Sequence, residues 1–335
     1  MATGQPAVQP SLTMDAVWEI YHEDLEEIES QIRRHLNSDA PLINEVAAHI
    51  LNGGGKRIRP LLLNLCARLS GYVPTDDLII GSLIEFIHTA TLLHDDVLDE
   101  AALRRGQLTA QRIWGNRTSI LVGDYLYSQA MQHIAAFKNH DMNETMATAC
   151  RKMAEGEILQ LTANRQPLVP ESDYLRVVEY KTGALVAAAC KVGAIRGSTS
   201  PMQQEALYKF GLYMGIAFQL TDDRLDYTAN DKNLGKPLGQ DLRQGMVTLP
   251  LIHLLHHLPV EDRQRLVTNI ETGSLDEQHV LHLTALMHRY GSLQYTRDRS
   301  HEYLHAAMAN LTTFEDSTAK RALAVVADYM VNRDR

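Results

Sequence analysis

The sequence contains few cysteines and few aromatic residues. Its three cysteines, Cys66, Cys150 and Cys190, are widely spaced and include no Cys-x-x-Cys pair. Such a sparse, odd number argues against a disulfide framework or a zinc site, and fits thiols buried in a reducing cytosol. Aromatic residues make up only 6% of the chain, alanine and leucine dominate, and alternating strand-like runs flanked by hairpin signals are absent. The composition therefore favours helices over strands.

The sequence also lacks an excess of basic charge and any long apolar run. Its formal net charge is -9, which argues against general binding of nucleic acid, because that function needs a basic surface. No stretch of 18 or more apolar residues is free of charge, so we expect no membrane span. Residues 1–13 show no signal-peptide pattern. We expect a cytoplasmic protein.

Helical periodicity runs through nearly the whole chain after a loose tail of residues 1–13. Apolar residues from Val17 to Leu36 recur at steps of three and four, with Glu and Arg opposite them. No linker rich in Pro, Gly or Ser and no internal repeat divides the chain. We therefore predict one all-α domain over residues 14–335, with helices near 14–36, 41–53, 78–98, 116–137, 141–161, 172–195 and 202–227.

The segment 78–98 differs from the other helices because it is apolar on nearly every side. Such a helix should be buried in the centre of the fold. Yet it ends in four carboxylates, at Asp95, Asp96, Asp99 and Glu100. Asp95 and Asp99 are four residues apart and therefore share one face, where like charges repel and the helix dipole disfavours anions. A divalent cation would compensate, and oxygen-only ligands suit magnesium.

A solvated acidic helix end is the alternative interpretation of a single such cluster. A second Asp-Asp-x-x-Asp cluster, however, follows another apolar helix at residues 222–226. Two matching clusters at the ends of two hydrophobic helices favour metal binding. The candidate metal ligands are Asp95, Asp96, Asp99, Asp222, Asp223 and Asp226.

Basic residues flank these clusters at several places. Lys56 and Arg59 follow three glycines, and Arg104 and Arg105 lie just beyond the first cluster. Lys181 interrupts an apolar helix, and Lys236 follows the second cluster. Each could simply be a surface cation, most readily Lys181 and Lys236. The glycines do not form a P-loop, since Gly-x-x-x-x-Gly-Lys-Ser/Thr is missing and no strand precedes them. The pattern favours diphosphate binding with magnesium over nucleotide phosphoryl transfer.

The order of these motifs resembles that of the trans-isoprenyl diphosphate synthases, and among them the long-chain, octaprenyl-like polyprenyl synthases. The resemblance extends over nearly the whole chain after the tail. It rests on Gly-Gly-Lys-Arg-Ile-Arg-Pro (54–60), Leu-Leu-His-Asp-Asp-Val-Leu-Asp (92–99), Leu-Arg-Arg-Gly (103–106), Lys-Thr-Gly-Ala (181–184), Phe-Gln-Leu-Thr-Asp-Asp-Arg-Leu-Asp (218–226), Gly-Lys-Pro (235–237) and Thr-Leu-Pro (248–250).

The resemblance implies helices around a deep central cavity, usually in a homodimer, and a magnesium-dependent prenyltransferase that adds isopentenyl diphosphate units to an allylic diphosphate. The long product would be a quinone side-chain precursor, and its release could involve transient contact with a membrane. Asp95, Asp99 and Asp222 are the implied metal ligands, and Lys181 also acts in catalysis. The implied isopentenyl diphosphate ligands are Lys56, Arg59, His88 and Arg105. The implied allylic diphosphate ligands are Arg104, Lys181, Thr182, Gln219 and Lys236.

Three further positions bear on the length of the product and on phosphate binding. Ala90 and Thr91 lie about one turn before Asp95, and in such an enzyme small residues there would leave a channel open for a growing chain. Ordinary helix packing is the alternative interpretation of Ala90. Met246 stands where many relatives have lysine, which puts one auxiliary phosphate contact in doubt.

Three other functions remain as alternatives. One is a synthase of shorter farnesyl or geranylgeranyl chains. A second is a class I terpene cyclase, although such an enzyme has a different second metal motif and no need of a second diphosphate site. The third is a non-catalytic subunit of a heteromeric synthase, which usually loses part of the acidic or basic set that is intact here.

Overall fold

The computed structural model describes residues 12–72, 79–228, 239–274 and 276–333. Its N-terminal half contains the helices α1 (Met14–Ile20), α2 (His22–His35), α3 (Pro41–Asn52), α4 (Ile58–Leu69), α5 (Ile79–Leu98), α6 (Ala110–Trp114), α7 (Asn116–Ala136) and α8 (His140–Ala163). Then follow α9 (Glu171–Val178), α10 (Ala184–Arg196), α11 (Pro201–Thr228), α12 (Gln240–Arg243), α13 (Leu249–His257), α14 (Val260–Thr272), α15 (Glu277–Arg289), α16 (Ser292–Asn310) and α17 (Thr318–Val331). The prediction of an all-α fold is confirmed.

Helix α10 lies at the centre of this bundle. It is buried along nearly its whole length and packs against α4, α8 and α11. Glycine allows the closest of these contacts, because a Cβ on Gly193 would lie 2.4 Å from the carbonyl oxygen of Leu63 in α4. Helix α5 is likewise buried on nearly every side, as predicted, and packs chiefly against α7. Among the described residues, no helix is both long and apolar enough to cross a bilayer.

Three local features differ from the prediction. The helix predicted over 14–36 is interrupted at Tyr21, although its apolar stripe is buried as expected. The helix predicted over 172–195 is divided by a π-helical turn, Glu179–Gly183. A two-residue hairpin, β1 (Leu103–Arg104) and β2 (Gln107–Leu108), occurs where no strand was expected. Arg105 and Gly106 form its turn with φ of 51° and 78°, the positive values that tight hairpin turns require.

Two predicted features lie partly or wholly outside the described residues. Of the predicted tail, residues 1–11 are outside them, and α1 begins at Met14, where the domain was predicted to start. Thr13 accepts a hydrogen bond from the backbone of Ala16 and so caps α1. Gly235, Lys236 and Pro237 also lie outside the described residues.

Candidate active site

Asp95 and Asp99 come together at the end of α5, as their spacing predicts. Burial raises the pKa of Asp95 to about 6, an effect that Lys181 opposes and that Glu157 and Asp99 reinforce. Burial also raises the pKa of Asp99. Burial is the main cause of both raised pKa values, and a divalent cation beside the two carboxylates would favour their ionised forms.

Asp96, the remaining aspartate of this motif, faces the hairpin. Its side chain is buried, and one of its oxygens accepts hydrogen bonds from Arg104 Nε at 2.9 Å and Nη2 at 2.8 Å. Gln111 donates to the Asp96 carbonyl oxygen at 2.6 Å. Asp96 therefore ties the end of α5 to the hairpin that carries Arg104 and Arg105.

The π-helical turn places Lys181 beside the first motif. Lys181 Nζ lies 2.6 Å from Oε2 of Glu157 in α8 and 3.9 Å from Oδ1 of Asp95. Burial alone would lower the pKa of Lys181, but Asp95 and Glu157 more than offset it and raise the pKa. Gly156 makes this approach possible, since a Cβ there would lie 2.7 Å from the backbone nitrogen of Lys181. π-turns of this kind often mark functional sites.

The three aspartates of the second motif have different surroundings at the end of α11. Asp222 contacts Arg333 and is half-buried. Asp223 is buried and accepts hydrogen bonds from the Tyr174 hydroxyl and from Gln219 Nε2, the latter at 2.8 Å. Burial raises the pKa of Asp223 to about 6, although these hydrogen bonds lower it. Asp226 accepts from the backbone nitrogens of Gln240 and Asp241, and so caps α12.

A chain of hydrogen bonds joins this motif to the π-helical turn. Thr182 Oγ1 donates to Gln219 Oε1 at 2.8 Å, and Gln219 in turn donates to Asp223. These side chains line a cavity of about 210 Å³ together with Lys181 and Asp99. We call it the Lys181 cavity. It contains members of both aspartate motifs and three of the residues predicted to bind the allylic diphosphate.

A second cavity, of about 600 Å³, brings together the other predicted set. We call it the basic cavity, and its polar and aromatic lining includes Lys56, Arg57, Arg59, Glu85, His88, Arg105, Phe218 and Arg333. Burial lowers the pKa of His88 well below its usual value, and the neighbouring arginines lower it further, so the ring is neutral at pH 7. The surplus of positive charge suits an anion such as a diphosphate.

The basic cavity and the Lys181 cavity are both lined by α11, and α5 leads from the first cavity to Asp99, which lines the second. Phe218 and Gln219 are adjacent on α11, and they line the basic cavity and the Lys181 cavity respectively. On α5, His88 of the basic cavity precedes Asp95 by two helical turns, a rise of about 10 Å. The two cavities are therefore neighbours, and Arg333, which lines the basic cavity, contacts Asp222 of the second motif.

The model of the polyprenyl synthetase family matches residues 40–287. The chain belongs to the polyprenyl synthetase family. This confirms the predicted family and, with it, the prediction of a prenyltransferase.

Other members of the polyprenyl synthetase family match nearly the full length of the chain. The octaprenyl diphosphate synthase of Escherichia coli (strain K12) is 41% identical over 325 residues, which cover 97% of this chain and 100% of that protein. The crystal structure of a decaprenyl diphosphate synthase from Rhodobacter capsulatus has a TM-score of 0.91 and 39% identity, and covers 96% of this chain and 99% of that one. The crystal structure of a polyprenyl synthase from Caulobacter crescentus CB15, complexed with calcium and isoprenyl diphosphate, has a TM-score of 0.92 and 35% identity. The match covers 98% of this chain and 100% of that one.

Synthetases of this family bind the diphosphate through metal ions, and the carboxylates of this site suit that use. Within the described ranges, no group of three or more acidic, histidine or cysteine side chains could hold an ion by itself. A hard cation such as Mg²⁺ needs few protein ligands, because water and substrate oxygens complete its coordination. The half-buried carboxylates of Asp95 and Asp99, with their raised pKa values, would supply such a partial set.

Several residues of the site were not predicted from the sequence. Glu157, Tyr174, Glu85 and Arg57 all contact predicted site residues or line their cavities. Glu85 had a usable signal, because it is a carboxylate inside a helix that is otherwise apolar, one turn before His88. Tyr174 and Glu157 had none, since their helices are ordinary and amphipathic.

The predicted chain-length residues differ in burial. Ala90 is 2% exposed and packs in the core shared by α5, α7 and α10. Thr91 is half-buried, and its hydroxyl donates to the carbonyl oxygen of His88 at 2.7 Å. Met246 lines the Lys181 cavity, where its sulfur lies 3.1 Å from Gln160 Nε2.

Proposed function

We propose that this protein is a long-chain all-trans polyprenyl diphosphate synthase of the octaprenyl class, whose product serves as a quinone side-chain precursor. The single observation that carries the reaction is the pair of adjacent cavities, one basic and one containing Lys181, with both aspartate motifs beside them. A cyclase needs only one diphosphate site. The similarity of the whole chain to an octaprenyl diphosphate synthase supports the long product.

We propose Mg²⁺ as the metal, with Asp95, Asp99 and Asp222 as its principal ligands. Asp96, Asp223 and Asp226 complete the two motifs, and their described partners hold the backbone of each motif in place. When bound, the ions neutralise charge that develops on the departing diphosphate.

The two diphosphates are bound by different sets of residues in this proposal. Lys181, Thr182 and Gln219 bind the allylic diphosphate, together with Arg104 and Lys236. Lys56, Arg59, His88 and Arg105 bind isopentenyl diphosphate in the basic cavity. Because His88 is neutral, its ring can donate one hydrogen bond without adding another charge beside four arginines.

The reaction breaks the allylic C–O bond and forms a C–C bond. Lys181 and its neighbours stabilise the negative charge that appears on the leaving diphosphate. The double bond of isopentenyl diphosphate attacks the allylic carbon, and a proton is then lost from the adjacent carbon. We propose that the departing diphosphate accepts this proton. We propose that the tail runs along α5 beneath Asp95, and that the small side chains of Ala90 and Thr91 do not close this path, although Ala90 is itself packed in the core.

We further propose that residues 14–335 form one domain and that the protein is a cytoplasmic homodimer. The three cysteines are free and buried, which fits a reducing compartment. For the dimer interface we propose the exposed face of α6 and α7, where Ile113, Ile120, Leu121 and Tyr127 are all more than a third exposed. These helices contact each other, and exposed apolar side chains on neighbouring helices suit contact with a partner.

The test of the proposed function is incubation with Mg²⁺, farnesyl diphosphate and labelled isopentenyl diphosphate, followed by sizing of the product. We expect a ladder that ends near eight isoprene units. Products that stop at three or four units would indicate the shorter-chain alternative. Purified protein that elongates nothing would overturn the proposal, and activity restored only by a second protein would identify a subunit of a heteromeric enzyme.

A further inference from the structure

Arg57 has a backbone conformation that needs support. It lies between Lys56 and Arg59 at the start of α4, with φ 46° and ψ 37°, in the left-handed region. A residue with a side chain is strained there, and such strain persists only where the surroundings impose it. The surroundings of its side chain show how it is held.

The guanidinium of Arg57 is fastened to three separate segments. Its Nε donates to Glu29 in α2, its Nη1 to Glu85 Oε2 in α5 at 3.0 Å, and its Nη2 to the Leu51 carbonyl oxygen in α3 at 3.1 Å. The side chain is only 11% exposed. Three of its five N–H groups already have protein acceptors, so the guanidinium is committed mainly to holding these segments together.

Glu85 connects this anchor to the basic cavity. It is 4% exposed and lines the cavity one turn before His88. A buried carboxylate needs a cationic partner, and Arg57 is the one that the structure provides. The Glu85 charge also favours protonated Arg59 and Arg105, whose pKa values are lowered by burial first of all. Arg59 Nε has no hydrogen-bond partner among the described residues.

Gly55 lies between Arg57 and Arg105 and contacts both side chains. A Cβ on Gly55 would lie 3.1 Å from Arg57 Nη1 and 3.4 Å from Arg105 Nη1. Both guanidinium groups therefore pack against the backbone of this glycine. Displacement of Arg57 would shift the loop that carries Lys56, the start of α4 that carries Arg59, and the surface against which Arg105 rests.

We propose that Arg57, held by Glu29 and Glu85, is a positioning residue for the isopentenyl diphosphate site. It fixes the glycine loop and the start of α4, so that Lys56, Arg59 and Arg105 face one cavity before the substrate binds. This inference rests on the proposed assignment of the basic cavity. Preorganisation of this kind affects the affinity for one substrate and leaves the other unchanged.

The decisive variant is Arg57→Gly, because glycine adopts the left-handed conformation without strain. It removes the guanidinium and leaves the backbone free to keep its course. We expect the KM for isopentenyl diphosphate to rise on the order of 10- to 100-fold, with the KM for farnesyl diphosphate within about twofold of wild type. Guanidinium ion at a non-denaturing concentration should restore part of the affinity, which a merely structural role would not produce.

Glu85→Gln provides a second, nearly isosteric variant. We expect the same selective rise in the KM for isopentenyl diphosphate. The double variant should have the same KM as Arg57→Gly alone, because both changes break the same ion pair. Arg68→Met is the matched control. Arg68 lies in α4 and does not line the cavity, and its Nη2 is 2.7 Å from Asp24 Oδ2. Loss of this ion pair should lower the stability of the protein and leave both KM values unchanged.

The outcomes separate this inference from the proposed function. If wild type elongates farnesyl diphosphate but Arg57→Gly and Glu85→Gln leave the KM for isopentenyl diphosphate unchanged, or raise both KM values equally, Arg57 is not a positioning residue and the function stands. Titration calorimetry with isopentenyl diphosphate alone measures the same affinity without turnover. Absence of binding by wild type would overturn the assignment of the cavity and this inference with it.

Discussion

The ammonium nitrogen of Lys181 lies 2.6 Å from a carboxylate oxygen of Glu157, one turn of α8 before Gln160. The same nitrogen lies 3.9 Å from Asp95. Glu157 thus holds the cation that faces both the first aspartate motif and the proposed allylic diphosphate. The π-helical turn and Gly156 bring the two residues together.

Replacement of Glu157 should therefore slow the reaction without weakening the binding of isopentenyl diphosphate. We expect Glu157→Gln to lower kcat about 10-fold, because Lys181 loses its anionic partner, and to leave the KM for isopentenyl diphosphate within about twofold. Steady-state kinetics with each substrate varied in turn measures both. Glu155→Gln is the control, since Glu155 is exposed on the same helix and pairs with Arg151. An unchanged kcat in Glu157→Gln would show that Lys181 does not need this partner.

The raised pKa of Asp95 predicts a pH-dependent effect on stability in the metal-free protein. Its pKa of about 6 in the fold exceeds the ordinary 3.8, so the folded state binds the proton more tightly than the unfolded state. Ionised Asp95 therefore costs stability above pH 6, and that cost disappears as the pH falls towards 4. We expect Asp95→Asn to raise the free energy of unfolding by about 1–3 kcal/mol at pH 7.5 and by nothing near pH 4.

Denaturant unfolding at both pH values, with a chelator present, measures this difference. Magnesium should stabilise wild type and have little effect on Asp95→Asn, and turnover should be lost in the variant. Asp328→Asn on α17 serves as the control for a general charge effect. A variant that is no more stable than wild type at pH 7.5 would contradict the raised pKa.

The chain-length prediction concerns α5 below Asp95. We expect Ala90→Phe to shorten the product, because a ring there would block the path of the tail. Ala90 is fully packed, so overpacking costs about 1–3 kcal/mol and could disturb the helix. Thr91→Phe, at a half-buried position, tests the same idea with less strain. Products of wild-type length from both folded variants, sized by chromatography, would rule out these positions as a gate.

Met246 offers a gain-of-function prediction. It lines the Lys181 cavity together with Asp99 and Asp223, and its sulfur lies 3.1 Å from Gln160 Nε2. Met246→Lys would place an ammonium group at a site proposed to hold a diphosphate. We expect the KM for farnesyl diphosphate to fall about 3- to 10-fold relative to Met246→Leu, which conserves volume without charge. Equal KM values in the two variants would mean that this position does not face the diphosphate.

The proposed dimer interface can be tested at its most exposed residue. Leu121 on α7 is 65% exposed. Burying a glutamate in an apolar interface is unfavourable, so Leu121→Glu should shift the protein from dimer to monomer in sedimentation velocity. Leu281→Glu, at a position 55% exposed on α15, should not change the oligomeric state. A monomeric wild type, or a Leu121→Glu variant that sediments as a dimer, would exclude this interface.

The sequence alone determined the fold class and the family, and it pointed to most of the residues of the proposed site. Helical periodicity is a local property, so the predicted helices over 41–53, 116–137 and 202–227 agree with α3, α7 and α11 to within one residue at each end. The aspartates of each motif and the cations of the glycine-rich motif are close in sequence, so their spacing along a helix predicts which of them share a face. The resemblance to polyprenyl synthases followed from their order along the chain.

Only the tertiary structure decided which residues support that site. Glu157 and Lys181 are 24 residues apart in sequence, and Arg57 is 28 residues from both Glu29 and Glu85. No periodicity links such pairs, because their contact depends on how whole helices cross. The π-helical turn and the Arg105-Gly106 hairpin turn were likewise invisible beforehand. The π-helical turn packs against Gly156, and the hairpin turn has positive φ angles at Arg105 and Gly106. The periodic pattern of apolar and polar residues indicates neither feature.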